Sequence, residues 1–260
     1  MEDFIDYIEE NTIRNVIILS GAGISTNAGI PDYRSSGGSF STLTENPQNI
    51  LSRSSTNKVM RDEYLRTLEE KMDLVEPTKS HLLGKILNDM GILKRIYTQN
   101  IDSLYQKAGV PDDKIVEFHG SFKKDNVVLY GDSIKKEVLE YVEKDLIRDV
   151  EDVDLLIVMG TSLQVAPFCA LPNMVLKDCC RVLVDICPQN AFKNPFSKVE
   201  ITPYSFYGSG GVTSYIKFGK HKVTLRPHWS RNKRWKNQFI IKEDCDIFTD
   251  EFEKGLNQQS

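Results

Sequence analysis

Short apolar runs alternate along this chain with longer stretches in which apolar residues recur at helical spacing. Val16-Ile17-Ile18-Leu19 contains no polar position, which predicts a strand buried on both faces. Similar runs predict strands at Leu93 to Thr98, Ile115 to Phe118, Val127 to Tyr130, Leu155 to Met159 and Arg181 to Ile186. Between them lie helical spacings. Phe4, Ile5 and Ile8 mark a short helix over Phe4 to Asn11, and Met60, Tyr64, Leu65, Leu68 and Met72 an amphipathic one within Lys58 to Val75. Pro77-Thr78-Lys79-Ser80 opens another that Gly91 stops, Ile101 to Ala108 forms a short one ended by Gly109, and Ile134 to Val150 a longer one. Strands and helices in this alternation predict an α/β fold: a parallel sheet with helices on both faces and ligands at the carboxyl ends of its strands.

Residues 35 to 76 break the rhythm. Ser35-Ser36-Gly37-Gly38-Ser39 and Ser52-Arg53-Ser54-Ser55-Thr56-Asn57 are small and polar, so with the helix after them they predict a small helical insertion. Its connections suit either a ligand site or a plain surface. There is no internal repeat and no low-complexity tract.

At 260 residues the chain fits one large α/β domain, alone or with a small inserted module. No apolar stretch approaches the roughly 18 to 20 residues that span a bilayer, and Met1-Glu2-Asp3 is not the basic start of a secretory signal. The expected location is therefore intracellular, cytoplasmic or nuclear, without a membrane. Cys169, Cys179, Cys180, Cys187 and Cys245 form no C-x-x-C pair and are odd in number, which suggests neither a disulfide framework nor a standard structural zinc site. The net charge of −4 gives no general preference for nucleic acid. It is unevenly spread. No Asp or Glu lies between Glu200 and Glu243, and Lys217 to Lys236 interleaves Lys and Arg with Trp229, Trp235 and His228. That run reads as a surface for an acidic partner or as a solvated basic loop or hairpin.

Candidate chemistry gathers at predicted strand ends. After the first strand come Gly21-Ala22-Gly23-Ile24-Ser25-Thr26-Asn27 and Ala28-Gly29-Ile30-Pro31-Asp32-Tyr33-Arg34, a sharp turn into a helix start that suits a nucleotide phosphate or a bland strand-to-helix turn. It lacks the G-x-G-x-x-G spacing of the common dinucleotide fingerprint. Thr98-Gln99-Asn100-Ile101-Asp102 offers amides and a carboxylate for ribose hydroxyls or a carboxamide, or else an Asx turn. Glu117-Phe118-His119-Gly120 places a histidine at a strand end, as a base or as a core residue. Met159-Gly160-Thr161-Ser162-Leu163 is a second glycine-led exit suited to phosphate or ribose.

In order and spacing these clusters, with Pro167-Phe168 and Cys245-Asp246, closely resemble the sirtuin family. The resemblance implies a Rossmann-like sheet that binds NAD and an enzyme that transfers an acyl group from a protein lysine to ADP-ribose, releasing nicotinamide. It assigns Gly21, Ala22, Gly23, Ser25 and Thr26 to the pyrophosphate and Asp32, Tyr33 and Arg34 to the nicotinamide side. Gln99 would touch ribose, with Asn100, Ile101 and Asp102 positioning the carboxamide and its ribose. Gly160, Thr161, Ser162 and Asp185 would hold adenosine, and Cys245 and Asp246 would lie by the adenine. His119 would take a proton from a ribose hydroxyl, a task suited to a group with an ordinary pKa near 6.5. Val128, Leu129, Tyr130 and Gly131 would pair with an extended acyl-lysine substrate beside an apolar tunnel walled by Tyr130, Phe118 and Phe168.

The likeness has two departures. Most sirtuins carry a zinc module of two C-x-x-C pairs after the His-Gly segment, and here Ser121-Phe122-Lys123-Lys124-Asp125-Asn126 fills that interval without a cysteine. Zinc is therefore not expected, and the remaining cysteines read as buried structural residues. Asp185 stands where the family commonly has Asn, and its carboxylate suits ribose hydroxyls. An NAD-dependent deacylase is the leading reading, with NAD hydrolysis, mono-ADP-ribosyl transfer and a non-catalytic NAD sensor as alternatives.

Overall fold

The computed structural model describes residues 1–32, 50–52, 58–176, 178–186, 198–203, 214–218, 221–226 and 238–257. Tyr33, Arg34, the polar stretches 35–39 and 53–57, Cys187 and much of the basic run, 219–220 and 227–236, lie outside the described residues.

The fully apolar runs become the middle of a parallel sheet. β1 (Val16–Ser20) is buried at every position, and β2 (Leu93–Thr98), β3 (Ile115–Glu117), β4 (Leu155–Met159) and β5 (Cys180–Val184) follow it in the chain. Three further strands, β6 (Lys198–Pro203), β7 (Ser214–Phe218) and β8 (His221–Arg226), form a separate antiparallel sheet in the order β6-β8-β7. β9 (Gln238–Ile241) completes the main six-stranded sheet, whose order is β3-β2-β1-β4-β5-β9. Every neighbouring pair in it is parallel. The chain steps outward on one side of β1 to β2 and β3, and on the other to β4 and β5. The carboxyl ends of β1 and β4 therefore sit where the strand order reverses, the place a ligand crevice opens in such sheets.

Period-two alternation puts both faces of these strands to use. Ile17, Leu19, Leu156 and Val158 join one core layer, and Val16, Ile18, Leu155, Ile157 and Met159 the other. On the second face pack α1 (Glu2–Glu10) and the C-terminal helix, α6 in chain order (Cys245–Asn257). The Phe4 ring lies 5.8 and 5.6 Å from those of Phe248 and Phe252. α2 (Lys58–Leu74) buries Leu68 and Met72 against Ile30, Ile101 and Leu104, a small third core above the ends of β1 and β2. α3 (Lys79–Asp89) begins at Thr78, and Gly91, in the left-handed region at φ 74°, follows its end.

Several elements differ from the sequence expectation. Val127 to Tyr130 is not a sheet strand but a half-buried extended segment, with one parallel bridge from Tyr130 to Ser52. Its amides are spent elsewhere: Val128 N donates to His119 O, and Leu129 N to the Asp132 carboxylate. α4 (Leu104–Lys107) starts later than expected, because Asp102 accepts from Leu104 N across a left-handed Ser103. α5 (Lys136–Glu143) widens into a π-helical turn over Lys144–Arg148. Strands β6 to β9 were not anticipated, apart from a hairpin within the basic run, which β7 and β8 supply. Among the described residues no helix is long and apolar enough to cross a membrane.

Candidate active site

Two glycine-led strand exits meet back to back. Gly21 N donates to Met159 O at 3.2 Å and Gly23 N to Gly160 O at 2.9 Å. A Cβ on Gly23 would stand 2.7 Å from Gly160 Cα, and one on Gly21 2.8 Å from Thr161 Cβ. Glycine at 21 and 23 thus admits the neighbouring exit, a close approach within the chain besides the tight turning and ligand approach that the sequence suggested. Gly160 is itself left-handed at φ 56°. Gly23→Ala is expected to cost about 1–3 kcal/mol by overpacking, which a thermal melt reads as a fall of roughly 2–12 °C. An unchanged melt would mean that the two exits separate freely.

The exit of β1 continues as a 3₁₀ helix, Ala22–Ala28, closed by Gly29 at φ 89°. Its Ser25 is buried, and the hydroxyl donates to Asp102 Oδ2 at 2.8 Å while accepting from Asn100 Nδ2 at 3.0 Å. His81 Nε2 lies 3.5 Å from the same oxygen, and His81 Nδ1 stands 2.9 Å from Thr78 Oγ1. Burial pushes the His81 imidazole below its ordinary pKa, against the opposing charges of Asp102 and Asp246. Asp102 Oδ1 accepts from Leu104 N at 3.0 Å. Strand ends β1 and β2 and helix α3 are thereby locked together by one buried polar network, whose groups are mutually satisfied.

His119 follows β3, half-buried at the end of the sheet. Its Nδ1 is 3.1 Å from the Gln99 carbonyl, which can only accept, so Nδ1 carries the proton and Nε2 is left as an acceptor. Burial lowers the imidazole pKa, partly offset by that carbonyl. Gln99 is doubly held: its N donates to Ser20 O at 2.9 Å, and its Oε1 accepts from Thr161 Oγ1 at 2.7 Å. This links His119 to both glycine exits.

A cavity of about 830 Å³ runs across these groups. Ala22, Gly23, Thr26, Asp32, Gln99, Asn100, Ile101 and His119 line it, followed by Val128, Leu129, Tyr130 and Gly131, then Gly160, Thr161, Ser162, Asp185 and Cys245. Four of the described residues expected to hold the cofactor are off its wall: Gly21, Ser25, Asp102 and Asp246. Gly21 is packed under Thr161, while Ser25 and Asp102 satisfy one another. Asp246 instead holds the first turn of α3, accepting from Ser80 N at 2.7 Å, and takes Asn27 Nδ2 at 3.0 Å. Burial raises its pKa, but the hydrogen bonds from Ser80 and Asn27 outweigh that and hold it below the usual carboxylate range. Asp246→Ala is expected to lower stability by about 0.5–2 kcal/mol, as for a lost helix cap. The depressed pKa puts that contribution above about pH 4, to be lost as pH falls, so mutant and wild-type melts should converge in acid. A constant gap down to acid pH would contradict the assignment.

Phe118 and Phe168, expected as tunnel walls, are fully buried in the core as an edge-to-face pair 5.2 Å apart. Tyr130 is on the wall, with Ile134 and Val165 beside it. Asp244 also lines the cavity, and it accepts from Asn27 Nδ2 at 3.1 Å. Its adjacency to Cys245-Asp246 was the available sequence signal. His81 was passed over too, although Thr78-x-x-His81 has the spacing of a helix capping box, which the structure forms. Cys169, Cys179, Cys180 and Cys245 are buried thiols, and burial pushes those of Cys179 and Cys180 up to about 12.

A parallel sheet that reverses its strand order at two interlocked glycine exits, under a cavity lined by polar groups and one imidazole, has the form of a Rossmann-like dinucleotide site. The Sir2 family model matches residues 21–126. The NAD-dependent protein deacetylase HST2 of Candida albicans is 36% identical over 229 residues, which cover 72% of this chain and 68% of that protein. The corresponding hst2 of Schizosaccharomyces pombe is 31% identical over 232 residues, 74% of this chain and 69% of that one. Among solved structures, a Sir2 homologue mutant in complex with ADP-ribose superposes at a TM-score of 0.69 and 18% identity, covering 99% of this chain and 97% of the other. A second Sir2 enzyme structure matches at 0.69 and 21%, covering both chains completely. The chain belongs to the Sir2 family.

Proposed function

We propose that the chain is an NAD-dependent protein-lysine deacetylase that releases nicotinamide and O-acetyl-ADP-ribose. The observation that carries this reading is the placement of His119, with its accepting Nε2, on the same cavity wall as Asn100, the glycine exits and the apolar segment Val128–Gly131. Its relatives in the two yeasts bear the same activity in their names.

The residues present fit NAD as the co-substrate. A cavity of about 830 Å³ lies within the range that encloses cofactor-sized ligands, and Gly23 and Gly160, packed against each other, are among the residues that line it. Bound NAD supplies an activated ribose carbon with nicotinamide as the leaving group. This chain's residues then position and protect. Gln99 and Asn100 orient the ribose and carboxamide, backbone at 22–23 and 160–162 receives the diphosphate and adenosine side, and Asp185 accepts from ribose hydroxyls. His119 Nε2 takes a proton from a ribose hydroxyl. Val128, Leu129 and Tyr130 exclude water from the acyl-lysine, where ordered positioning rather than a protein nucleophile lowers the barrier. The same reading treats residues 35–76 as an insertion beside the cofactor cleft, and the basic run from Lys217 to Lys236 as a surface for an acidic partner.

The test is incubation with NAD and an acetyl-lysine peptide. Nicotinamide and O-acetyl-ADP-ribose are expected in equal amounts. Nicotinamide alone would replace this reading with hydrolysis or ADP-ribosyl transfer, and neither product would leave an NAD sensor.

A further inference from the structure

The interval that holds a zinc module in most of the family is here a short loop, and the donors for zinc do not fit. Residues 121–126 contain no cysteine. Cys169 and Cys179 are buried in one core layer, Cys180 and Cys245 in the other, on opposite faces of the sheet. Among the described residues no three His, Cys, Asp or Glu side chains come together to hold a metal.

What holds this loop is a carboxylate. Glu117 ends β3 and is buried, with its side chain only 4% exposed. Oε1 accepts from Ser103 Oγ at 3.2 Å and Gln106 Nε2 at 2.9 Å, and Oε2 from Ser121 Oγ at 3.1 Å and Lys124 Nζ at 2.7 Å. One side chain thus ties the end of β3, the turn and helix that follow Asp102, and the loop. The loop also closes on itself. Ser121 N donates to Asn126 Oδ1 at 2.9 Å, Asn126 N to Ser121 O at 3.2 Å, and Asp125 N to Phe122 O at 2.8 Å. Gly120, at φ 72°, leaves room for this closure, since a Cβ there would stand 2.1 Å from Asn126 O. Closure delivers residue 128 next to residue 119: Val128 N donates to His119 O at 2.8 Å.

We propose that Glu117 is a positioning residue, which through loop 120–126 sets His119 and the acyl-lysine segment 127–131 in register with each other without metal. It rests on the deacetylase reading for its kinetic consequence but not for its structural one. Glu117 is not on the cavity wall, so it acts through the backbone pairing of 119 with 128. Its partners Ser103, Gln106, Ser121 and Lys124 are not among the groups proposed to bind NAD, and Gln99 is held separately by Ser20 and Thr161.

Three variants test it: Glu117→Ala, Glu117→Gln, which keeps a carbonyl acceptor, and Lys124→Met at a partly exposed position. Misplacement of reacting groups by about an ångström is worth up to about 100-fold. Glu117→Ala is therefore expected to lower kcat/KM for an acetyl-peptide by about 10- to 100-fold, with NAD affinity changed less than about twofold. Glu117→Gln and Lys124→Met are expected to fall between it and wild type. Amide exchange at Val128 should quicken in the same order, a readout that stands even if the wild type proves to have no deacetylase activity. Should Glu117→Ala fail to fold, Lys124→Met decides. Wild-type peptide kinetics and Val128 exchange in Lys124→Met and Glu117→Gln would overturn the proposal, as would equal losses of NAD and peptide binding. Stoichiometric zinc whose chelation abolishes activity would overturn the metal-free part.

Discussion

His119→Asn is expected to lower deacetylation by about two to four orders of magnitude, the usual worth of a positioned general base, while NAD affinity stays within about twofold. The argument is geometric before it is electrostatic. Nδ1 is committed as a donor to the Gln99 carbonyl, which fixes both the tautomer and the ring plane and leaves Nε2 as the only basic atom. Asn supplies an amide that can replace the Nδ1 donor and so spare the architecture, but it takes up no proton at neutral pH. The wall residues proposed to hold the cofactor, Gly23, Gly160 and Thr161, are untouched. The same geometry sets a pH dependence. Burial holds the imidazole below its ordinary value near 6.5, so the base stays unprotonated through neutrality and activity falls only on the acid side of that value. Rates of O-acetyl-ADP-ribose formation from about pH 5 to pH 8, with calorimetric titration of NAD, check both parts. A His119→Asn variant that turns over at the wild-type rate, or an acid limb centred above 6.5, would remove His119 from the role.

The sheet and its ligand edge were legible because their signals are local. Val16-Ile17-Ile18-Leu19 and Leu155 to Met159 have no polar residue to place on a solvent face, and both became central strands within a residue of expectation. Elements whose form depends on distant partners were less so. Val127 to Tyr130 reads as a strand on apolarity, yet its amides are taken by His119 and Asp132, which pattern analysis does not see. β9 has only four residues and leaves Ile240 half-exposed, so no buried run announces it. β6 and β8 did carry a signal, the strict alternation of polar and apolar residues in Lys198-Val199-Glu200-Ile201 and Lys222-Val223-Thr224-Leu225.

In the candidate site, the residues that the sequence placed by motif alone divide by their hydrogen-bond partners. Ala22, Gly23, Gln99, Asn100, Gly160 and Thr161, at the strand exits, line the cavity. Ser25, Asp102 and Asp246, polar residues of the same motifs, turn inward to satisfy one another or a helix end. A motif lists polar residues without saying which face the ligand and which face the buried network behind it, since both uses require the same residue types. Only three-dimensional partners such as His81 and Ser80 separate them.

Asp145→Ala is expected to destabilise the protein by about 3–5 kcal/mol, the usual loss when one partner of a buried ion pair is removed. Asp145 is 1% exposed, and its Oδ2 accepts from Arg95 Nε at 2.7 Å and from the Tyr97 hydroxyl at 2.9 Å. Burial and the adjacent carboxylate push the Tyr97 phenol well above its usual range, so the tyrosine stays a donor at every accessible pH. The Arg95 guanidinium is also stacked over the Tyr141 ring at 4.5 Å. Truncation would leave this buried cation on β2 with no carboxylate, and the widened π turn that brings Asp145 to β2 would lose its anchor. Thermal unfolding of a chain this size would register the change as a drop of roughly 6–20 °C. Replacing the whole set, as in Arg95→Met with Asp145→Leu and Tyr97→Phe, removes charge and partner together, and the triple variant is expected to recover most of the loss. A single variant that melts with the wild type would show that water reaches Arg95 and that the pair is not buried. A triple variant no better than Asp145→Ala would place the loss in packing of the π turn instead of in an uncompensated charge.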